Sequence, residues 1–378
     1  MTRKLLTALF ALSLTSALAF PVQASSGAAR YIVVLEDGTA SDSVASEHSR
    51  RFGVDVSHTY SHALSGYAGV IPSARLASIK SDRRVAYVEA DGVAHAYGQV
   101  AASAVQTTPW GIDKIGAGQY SAAGRASVNV YVLDTGVDAN HPDLNVVSHV
   151  NFAGGKNADC NGHGTHVAGT IAARANSIDV VGVMPGAPIT GVKVLGCNGS
   201  GSYAGIIKGI DWVTSNAANK LAIANMSLGG GVSNAVDDAV RRSAAAGVFY
   251  ALAAGNSGAD ACFSSPARAG AGTNNGIMTV AATDSLDREA SWSNYGDCVD
   301  LWAPGVSILS TKKGGGTTTM SGTSMASPHG AGGGGLYLSR NATTTSAAVE
   351  GALKNAAQTP GTTSKDGKSI TREYVGGF

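Results

Sequence analysis

Three polar residues of this chain have the types needed for nucleophilic catalysis: a carboxylate, an imidazole and a hydroxyl. Asp134 directly follows an apolar run. His163 lies between two glycines in GHGTHVAG at residues 162–169, and Ser324 lies in GTSMASPH at residues 322–329. A histidine oriented by a carboxylate can take the proton of a serine hydroxyl and make its oxygen a nucleophile. If the fold brings them together, these residues predict acyl transfer through a covalent intermediate.

Each residue also has a simpler structural interpretation. Asp134 precedes Thr-Gly and fits an ordinary turn, and Ser324 fits a helix N-cap. His163 and His166 have the spacing of two metal ligands, but no nearby Glu or Cys cluster completes a zinc set. Asn256 follows another apolar run, and its simpler structural interpretation is a turn of the Asn-Gly type.

The elements that must position these residues follow an α/β pattern. Short apolar runs alternate with helical stretches, as in a parallel sheet covered on both faces. The predicted strands are residues 128–133, 190–195, 221–226, 248–253 and 277–281, and the predicted helices are 163–173, 203–215, 234–246 and one that starts at Ser324. Ligands of such sheets bind at the carboxyl ends of the strands, where Asp134 and Asn256 are expected. We therefore predict a doubly wound, mostly parallel sheet in a domain at residues 107–378.

The N-terminal third has a different organisation. Residues 1–24 resemble a secretory signal, with Arg3 and Lys4 before an apolar run that is short for a transmembrane anchor, the alternative. Residues 25–97 show a small α+β pattern, and residues 98–106 are polar, without periodicity, and predict an exposed linker. We expect a secreted protein with a small domain before the larger one.

Charge and cysteine content narrow the function classes. Lys plus Arg total 27 against 26 for Asp plus Glu, so no charge excess indicates nucleic acid, a membrane surface or an acidic substrate. Four cysteines without a Cys-x-x-Cys pair favour disulfides in an exported chain, and free buried thiols are the alternative. Of the three pairings, proximity favours Cys160 with Cys197 and Cys262 with Cys298.

Together the motifs around the four candidate residues resemble the subtilisin superfamily, whose triad follows the order Asp, His, Ser and whose oxyanion donor is an Asn. The resemblance covers residues 105–360 and is strongest to the proteinase K and aqualysin branch. The segments that carry this closer resemblance are 159–163, 198–203, 225–230 and 293–296. It implies a secreted serine endopeptidase with a subtilisin-like fold, in which Asp134, His163 and Ser324 form the triad and Asn256 serves the oxyanion. His166 is then a packed helix residue.

The same resemblance implies a cleft in which a peptide or protein substrate lies as an extra strand. The implied substrate-binding residues are Gly199, Ser200, Gly201, Tyr203, Ser227, Leu228, Gly229, Ala253, Ala254 and Gly255. The last three would wall the pocket for the residue before the scissile bond. Small, uncharged walls indicate broad specificity with an apolar or aromatic preference.

The resemblance also implies a role for residues 25–97: a ferredoxin-like prodomain that assists folding and inhibits the enzyme. Its tail would occupy the cleft, and self-cleavage would fall between Tyr97 and Gln106. The alternative is a permanent substrate-binding domain. We expect the mature enzyme to be a monomer without nucleic acid or membrane partners.

A structural Ca²⁺ is the cofactor that the resemblance implies, with the Asp300 carboxylate and the backbone oxygens of Asn275 and Ile277 as ligands. The chemistry itself requires no metal. Two other classes remain open: a catalytically silent protein that binds peptides, and a secreted structural or metal-binding protein.

One segment departs from the family pattern. After Ser324 the predicted helix reads His-Gly-Ala-Gly-Gly-Gly-Gly-Leu at residues 329–336, where relatives carry Val and Ala. Each interior glycine costs about 0.5–1 kcal/mol relative to alanine, and the missing side chains remove core contacts. Either neighbouring residues fill the space or the protein is less stable than its relatives.

Overall fold

The computed structural model describes residues 28–96, 106–117 and 127–378. The predicted signal at residues 1–24 and all but the last residue of the predicted linker lie outside the described residues. The N-terminal elements are β1 (Ala29–Leu35), α1 (Ser41–Phe52), β2 (Asp55–Tyr60), β3 (Gly66–Ile71), α2 (Ser73–Lys80), β4 (Val85–Ala90) and β5 (Val93–Ala96). The first four strands form an antiparallel sheet in the order β2-β3-β1-β4, which is the predicted ferredoxin-like α+β unit.

The larger unit is built on a seven-stranded parallel sheet in the order β14-β13-β12-β10-β6-β8-β7. Its strands, the cleft strands β9 and β11 and the hairpin β15-β16 are β6 (Val128–Asp134), β7 (Val146–Asn151), β8 (Ile189–Lys193), β9 (Ser200–Ser202), β10 (Leu221–Met226), β11 (Leu228–Gly230), β12 (Phe249–Ala253), β13 (Ile277–Thr283), β14 (Leu301–Pro304), β15 (Ile308–Thr311) and β16 (Thr317–Met320). Its helices are α3 (Trp110–Lys114), α4 (His163–Ala172), α5 (Tyr203–Asn216), α6 (Asn234–Ala245), α7 (Thr323–Arg340) and α8 (Ser346–Ala356). The α/β fold class predicted from the sequence is confirmed.

Alternation along the central strand β6 shows why both faces of the sheet are covered. Val130 and Val132 point into a core with α4 and α7, whereas Tyr131 and Leu133 point into a second core with α5 and α6. Successive side chains of a strand face opposite sides of a sheet. The apolar run of β6 therefore needs a helix layer on each face, and Asp134 comes at the carboxyl end of the strand.

The N-terminal unit has its own core and a second apolar face. Val33 and Leu35 of β1 pack under its helices, while Ile32 and Val34 join the core formed with α5 and α6 of the larger unit. Polar contacts complete this interface. One oxygen of the buried Asp211 carboxylate accepts the backbone N–H groups of Ser61, His62 and Ala63 at 3.2, 2.6 and 2.9 Å.

Both predicted disulfides are confirmed. Cys160 is bonded to Cys197 and Cys262 to Cys298, with Cα atoms 5.0 and 5.3 Å apart. Each closes a loop of about 37 residues, which the chain-entropy model values at roughly 3–4 kcal/mol. Within the described ranges, no helix is long and apolar enough to span a bilayer.

Neighbouring side chains fill the space beside the glycine run of α7. A Cβ on Gly332 would lie 2.4 Å from Cβ of Val183, and one on Gly334 would lie 2.3 Å from the Phe249 ring. Gly330 has more room, since its nearest neighbour would be Val280 Cγ2 at 3.1 Å. The structure therefore shows the first of the two alternatives for this segment, in which neighbouring residues fill the space. Larger residues on the sheet and in the loop before β8 face the small residues of α7.

Alanine at Gly332 is therefore expected to destabilise the protein by about 1–2 kcal/mol, although alanine favours helix, because Val183 Cβ cannot move without its backbone. Gly330→Ala is the matched control and should keep or raise the melting temperature. Thermal unfolding, followed in a Ser324→Ala background to prevent self-digestion, compares the two. A Gly332→Ala protein as stable as its parent would contradict this packing.

Candidate active site

The acid and the imidazole predicted from the sequence are in direct contact. Asp134 ends β6, His163 begins α4, and His163 Nδ1 lies 2.8 and 2.9 Å from the two Asp134 carboxylate oxygens. Asp134 is fully buried and also accepts the backbone N–H of Thr135 at 2.6 Å. The carboxylate can therefore hold a proton on Nδ1, which leaves Nε2 to accept one.

Glycine allows the helix to come this close. A Cβ on Gly164 would lie 2.1 Å from the carbonyl oxygen of Gly136 and 3.0 Å from Cβ of Asp134. No other residue fits at that position without moving α4 away from β6. The glycine after His163 is thus required by the distance between the carboxylate and the imidazole.

A second buried carboxylate links the loop after Asp134 to the start of α4. Asp159 Oδ1 accepts the Thr135 hydroxyl and the N–H of Gly162, and Oδ2 accepts both the N–H and the hydroxyl of Thr165. The Thr135 hydroxyl oxygen in turn accepts the N–H of Gly164 at 3.0 Å. Asp159 lies in the segment 159–163 that carries the family resemblance, and its burial among backbone donors identifies it as a positioning residue.

His166 lies in the core, as the sequence predicted. Its Nε2 is 3.0 Å from the carbonyl oxygen of Ile308 and 3.1 Å from that of Thr318. Complete burial lowers its pKa to about 3. This neutral imidazole joins α4 to the hairpin β15-β16, and it lies apart from the Asp134 carboxylate.

Ser324 lies in the first turn of α7 and exchanges two hydrogen bonds with Ser227. The Ser324 hydroxyl donates to the Ser227 carbonyl at 3.1 Å, and the Ser227 hydroxyl donates to the Ser324 carbonyl at 2.7 Å. Behind them, the side-chain amide of Asn225 donates to the Ser227 hydroxyl, and its oxygen accepts from Ser327. This network fixes the start of α7 against the end of β10.

Asn256 is held by the residue before the serine. Its amide oxygen accepts the Thr323 N–H at 3.0 Å and the Thr323 hydroxyl at 2.7 Å, and the same hydroxyl accepts the N–H of Gly255. Because the Asn256 side-chain oxygen is bonded to Thr323, the side-chain nitrogen of Asn256 points away from Thr323. No role was predicted for Thr323 from the sequence; the signal that could have found it is its position directly before Ser324.

The two segments predicted to flank a substrate bind a strand of the N-terminal unit. β5 runs antiparallel between β9 and β11, pairing His95 with Ser200 on one side and with Gly229 on the other. Beyond the strand pairs, the N–H of Ala96 donates to the carbonyl of Gly199 at 2.8 Å. The tail of the N-terminal unit therefore completes a three-stranded sheet with the larger unit.

The side chain of Ala94 in this strand is fully buried. It belongs to the same buried cluster as Tyr203, whose hydroxyl donates to the carbonyl of Gly231 at 2.6 Å. The predicted pocket wall, Ala253, Ala254 and Gly255, continues from β12. Asn294 holds this wall with two hydrogen bonds. Its side-chain amide donates to the Ala254 carbonyl at 2.9 Å, and its backbone N–H donates to the Gly255 carbonyl at 2.8 Å.

The residues suggested for calcium lie at the opposite edge of the sheet. Ile277 begins β13 and Asp300 precedes β14, so both are at amino ends of parallel strands. Calcium takes six to eight oxygen ligands, but the Asp300 oxygens contact Lys354 Nζ at 2.6 Å and the N–H of Thr279 at 2.7 Å. With both carboxylate oxygens bonded to nitrogen donors, the residues present do not fit a calcium ion.

The fold is α/β, and Asp134, His163 and Ser324 lie at the carboxyl edge of its parallel sheet, which is the arrangement of a serine hydrolase. Residues 125–376 match the model of the subtilase family (peptidase S8), and residues 30–97 match that of peptidase inhibitor I9. The chain belongs to the subtilase family, is a serine endopeptidase and carries an inhibitor prodomain. The alternatives of a catalytically silent or purely structural protein, and of a permanent substrate-binding domain, are not supported.

Relatives agree with this assignment. The chain is 44% identical over 316 residues to an extracellular serine proteinase of Thermus sp. (strain Rt41A), covering 80% of this chain and 73% of the relative. It is 41% identical over 320 residues to alkaline serine exoprotease A of Vibrio alginolyticus, covering 82% of this chain but only 58% of that protein. The crystal structure of a cold-adapted subtilisin-like serine proteinase superposes with a TM-score of 0.62 at 41% identity, over 71% of this chain and 97% of the other.

Proposed function

We propose that this endopeptidase cleaves peptide bonds through an acyl-enzyme on Ser324. His163 Nε2 takes the Ser324 hydroxyl proton as the oxygen attacks the carbonyl, and later delivers it to the leaving amine. Asp134 holds the imidazole in the required tautomer and stabilises its charged form. The observation that carries this proposal is the double contact of His163 Nδ1 with the buried Asp134 carboxylate, at 2.8 and 2.9 Å.

The oxyanion that forms on the peptide carbonyl is bound by the side-chain amide of Asn256 and the backbone N–H of Ser324. Both groups are set in place before substrate arrives, because Thr323 anchors the Asn256 oxygen and the Ser227 bonds anchor the first turn of α7. Donors that need no reorganisation stabilise a developing charge more than mobile ones do. Removing one such donor typically costs on the order of a hundred- to a thousandfold in rate.

A protein substrate lies as a strand in the position of β5. The support is the antiparallel pairing of β5 with both β9 and β11, which uses backbone groups and so accepts many sequences. Small walls at Ala253, Ala254 and Gly255 favour apolar or aromatic residues before the scissile bond. The full burial of Ala94, in the same cluster as Tyr203, favours a small residue further upstream in the substrate.

Maturation follows from the same contact. β5 ends at Ala96, so a cut between Tyr97 and Gln106 leaves the prodomain tail in the cleft as a product-like inhibitor until it dissociates or is degraded. The relative from Thermus sp. is named an extracellular proteinase. Together with the signal-like residues 1–24, this supports secretion of the present chain. We expect the mature enzyme to be a monomer.

One experiment tests mechanism and specificity together. The purified enzyme digests denatured casein with and without prior treatment by a fluorophosphonate, and mass spectrometry maps both the label and the cleavage sites. We expect the label on Ser324, loss of cleavage, and cuts mainly after apolar or aromatic residues. A label on another serine would contradict the mechanism, and a strict requirement for Arg or Lys would contradict the pocket assignment.

A further inference from the structure

A buried ion cluster lies at the amino edge of the sheet, on the side of the molecule away from the triad. Lys354 Nζ contacts Asp300 Oδ1 at 2.6 Å and Glu350 Oε1 at 2.5 Å. The Glu350 side chain is fully buried, that of Asp300 is 8% exposed, and that of Lys354 is 25% exposed. The ammonium therefore lies between two carboxylates that have little access to water.

The remaining carboxylate oxygens are bonded to backbone donors. Glu350 Oε2 accepts the N–H groups of Asn275, Gly276 and Ile277 at 2.7, 2.8 and 3.3 Å. Asp300 Oδ2 accepts the N–H of Thr279 at 2.7 Å. The loop before β13 thus directs three N–H groups at an anion, whereas a loop that encloses a metal ion would direct carbonyl oxygens at the cation.

Spacing on α8 makes this arrangement possible. Glu350 and Lys354 are four residues apart and lie on the same face of the helix, which packs against the strands β12 and β13. Asp300 reaches the cluster from the start of β14. Two side chains of α8 therefore join the helix to both loops: Glu350 binds the loop before β13, and Lys354 binds Asp300 in the loop before β14. These are the parts that a shared cation would join.

We propose that the ammonium group of Lys354 takes the place of the structural cation at this edge, so that Asp300 and its loop are held without calcium. Two buried carboxylates repel each other unless a cation lies between them, and removing one member of a buried ion group is strongly destabilising. Lys354 supplies that cation from within the chain.

The first test is the melting temperature of the full-length chain in a Ser324→Ala background. Lys354→Met keeps the length of the side chain and removes its charge, and should lower the melting temperature by on the order of 10 °C. The matched control is Lys368→Met, whose ammonium pairs with the exposed Asp297 and whose loss should change little. A Lys354→Met protein as stable as its parent would overturn the proposal.

Lys354→Arg separates charge from packing, because it restores a cation on a long side chain. It should recover most of the lost stability. A loss as large as that of Lys354→Met would mean that the alkyl chain matters rather than the charge, and would overturn the proposal.

Calcium supplies the second test. The gain in melting temperature from EDTA to CaCl₂ should be equal in the parent and in Asp300→Asn, and a gain in the parent that Asp300→Asn abolishes would show that Asp300 binds calcium.

Discussion

Replacing Ser324 with alanine is expected to lower the rate of casein hydrolysis by about a millionfold. Without the hydroxyl no acyl-enzyme forms, and the only remaining acceleration comes from substrate binding and the oxyanion donors. Those groups stay in place, because the Ser324 main chain still accepts the Ser227 hydroxyl bond. Initial rates with purified protein, compared with the unmodified enzyme, measure the loss.

The same variant should also remain a precursor. Self-cleavage after the prodomain needs the nucleophile, so the Ser324→Ala chain should keep residues 30–97 attached, which electrophoresis reveals directly. Ser321→Ala is the matched control. Ser321 lies three residues before the nucleophile, and its hydroxyl accepts the N–H of Ser307. Loss of this hydroxyl should leave both activity and processing intact. A Ser324→Ala protein that digests casein, or that matures by itself, would disprove the assignment.

Replacing Asp134 with asparagine should lower kcat by about ten-thousandfold while leaving the fold unchanged. The carboxylate accepts an N–H at Nδ1 of His163, which presents Nε2 as the proton acceptor. An amide nitrogen at that position donates to Nδ1 instead, so that the proton moves to Nε2 and the imidazole can no longer accept the serine proton. The side chains have nearly the same volume, so the effect is on the tautomer.

Asp138→Asn provides the control for Asp134→Asn. Asp138 is in the loop that follows Asp134, and its carboxylate accepts the backbone N–H groups of Asn140 and Gly314. Its loss should change kcat by no more than a few-fold. Rates on a peptide substrate and melting temperatures of both variants distinguish chemistry from stability. An Asp134→Asn enzyme within tenfold of the unmodified rate would contradict the role of the carboxylate.

Local patterns in the sequence predicted most of the framework. Five buried strands of the central sheet appeared as short apolar runs, because a parallel strand covered on both faces is apolar at most positions. The strands β7 and β14 and the helix α8 were not predicted. β14 (Leu301–Pro304) has only four residues and ends in proline. β7 (Val146–Asn151) lies at the sheet edge and is partly exposed, so it lacks a continuous apolar run. The site residues were individually ambiguous and were recognised through motif order.

The positions of side chains from distant segments could be learned only from the tertiary structure. The fit of Val183 and Phe249 against the glycines of α7 depends on how the helix lies on the sheet. The bond between Asp300 and Lys354 joins residues that are 54 positions apart in sequence and share no local pattern. From the sequence, Asp300 resembled a calcium ligand, because no residue near it in the sequence shows which cation the fold brings to its carboxylate.

The sequence by itself predicted a triad of Asp134, His163 and Ser324, because the motifs around these residues and their order along the chain can be read without knowing the packing. The tertiary structure decided how they are held and what covers the cleft. Gly164 sets the distance from α4 to β6, and β5 occupies the groove between β9 and β11. Both depend on close contacts between segments far apart in the chain, whose energies come from burial and hydrogen bonding in the folded molecule and leave no local trace in the residue order.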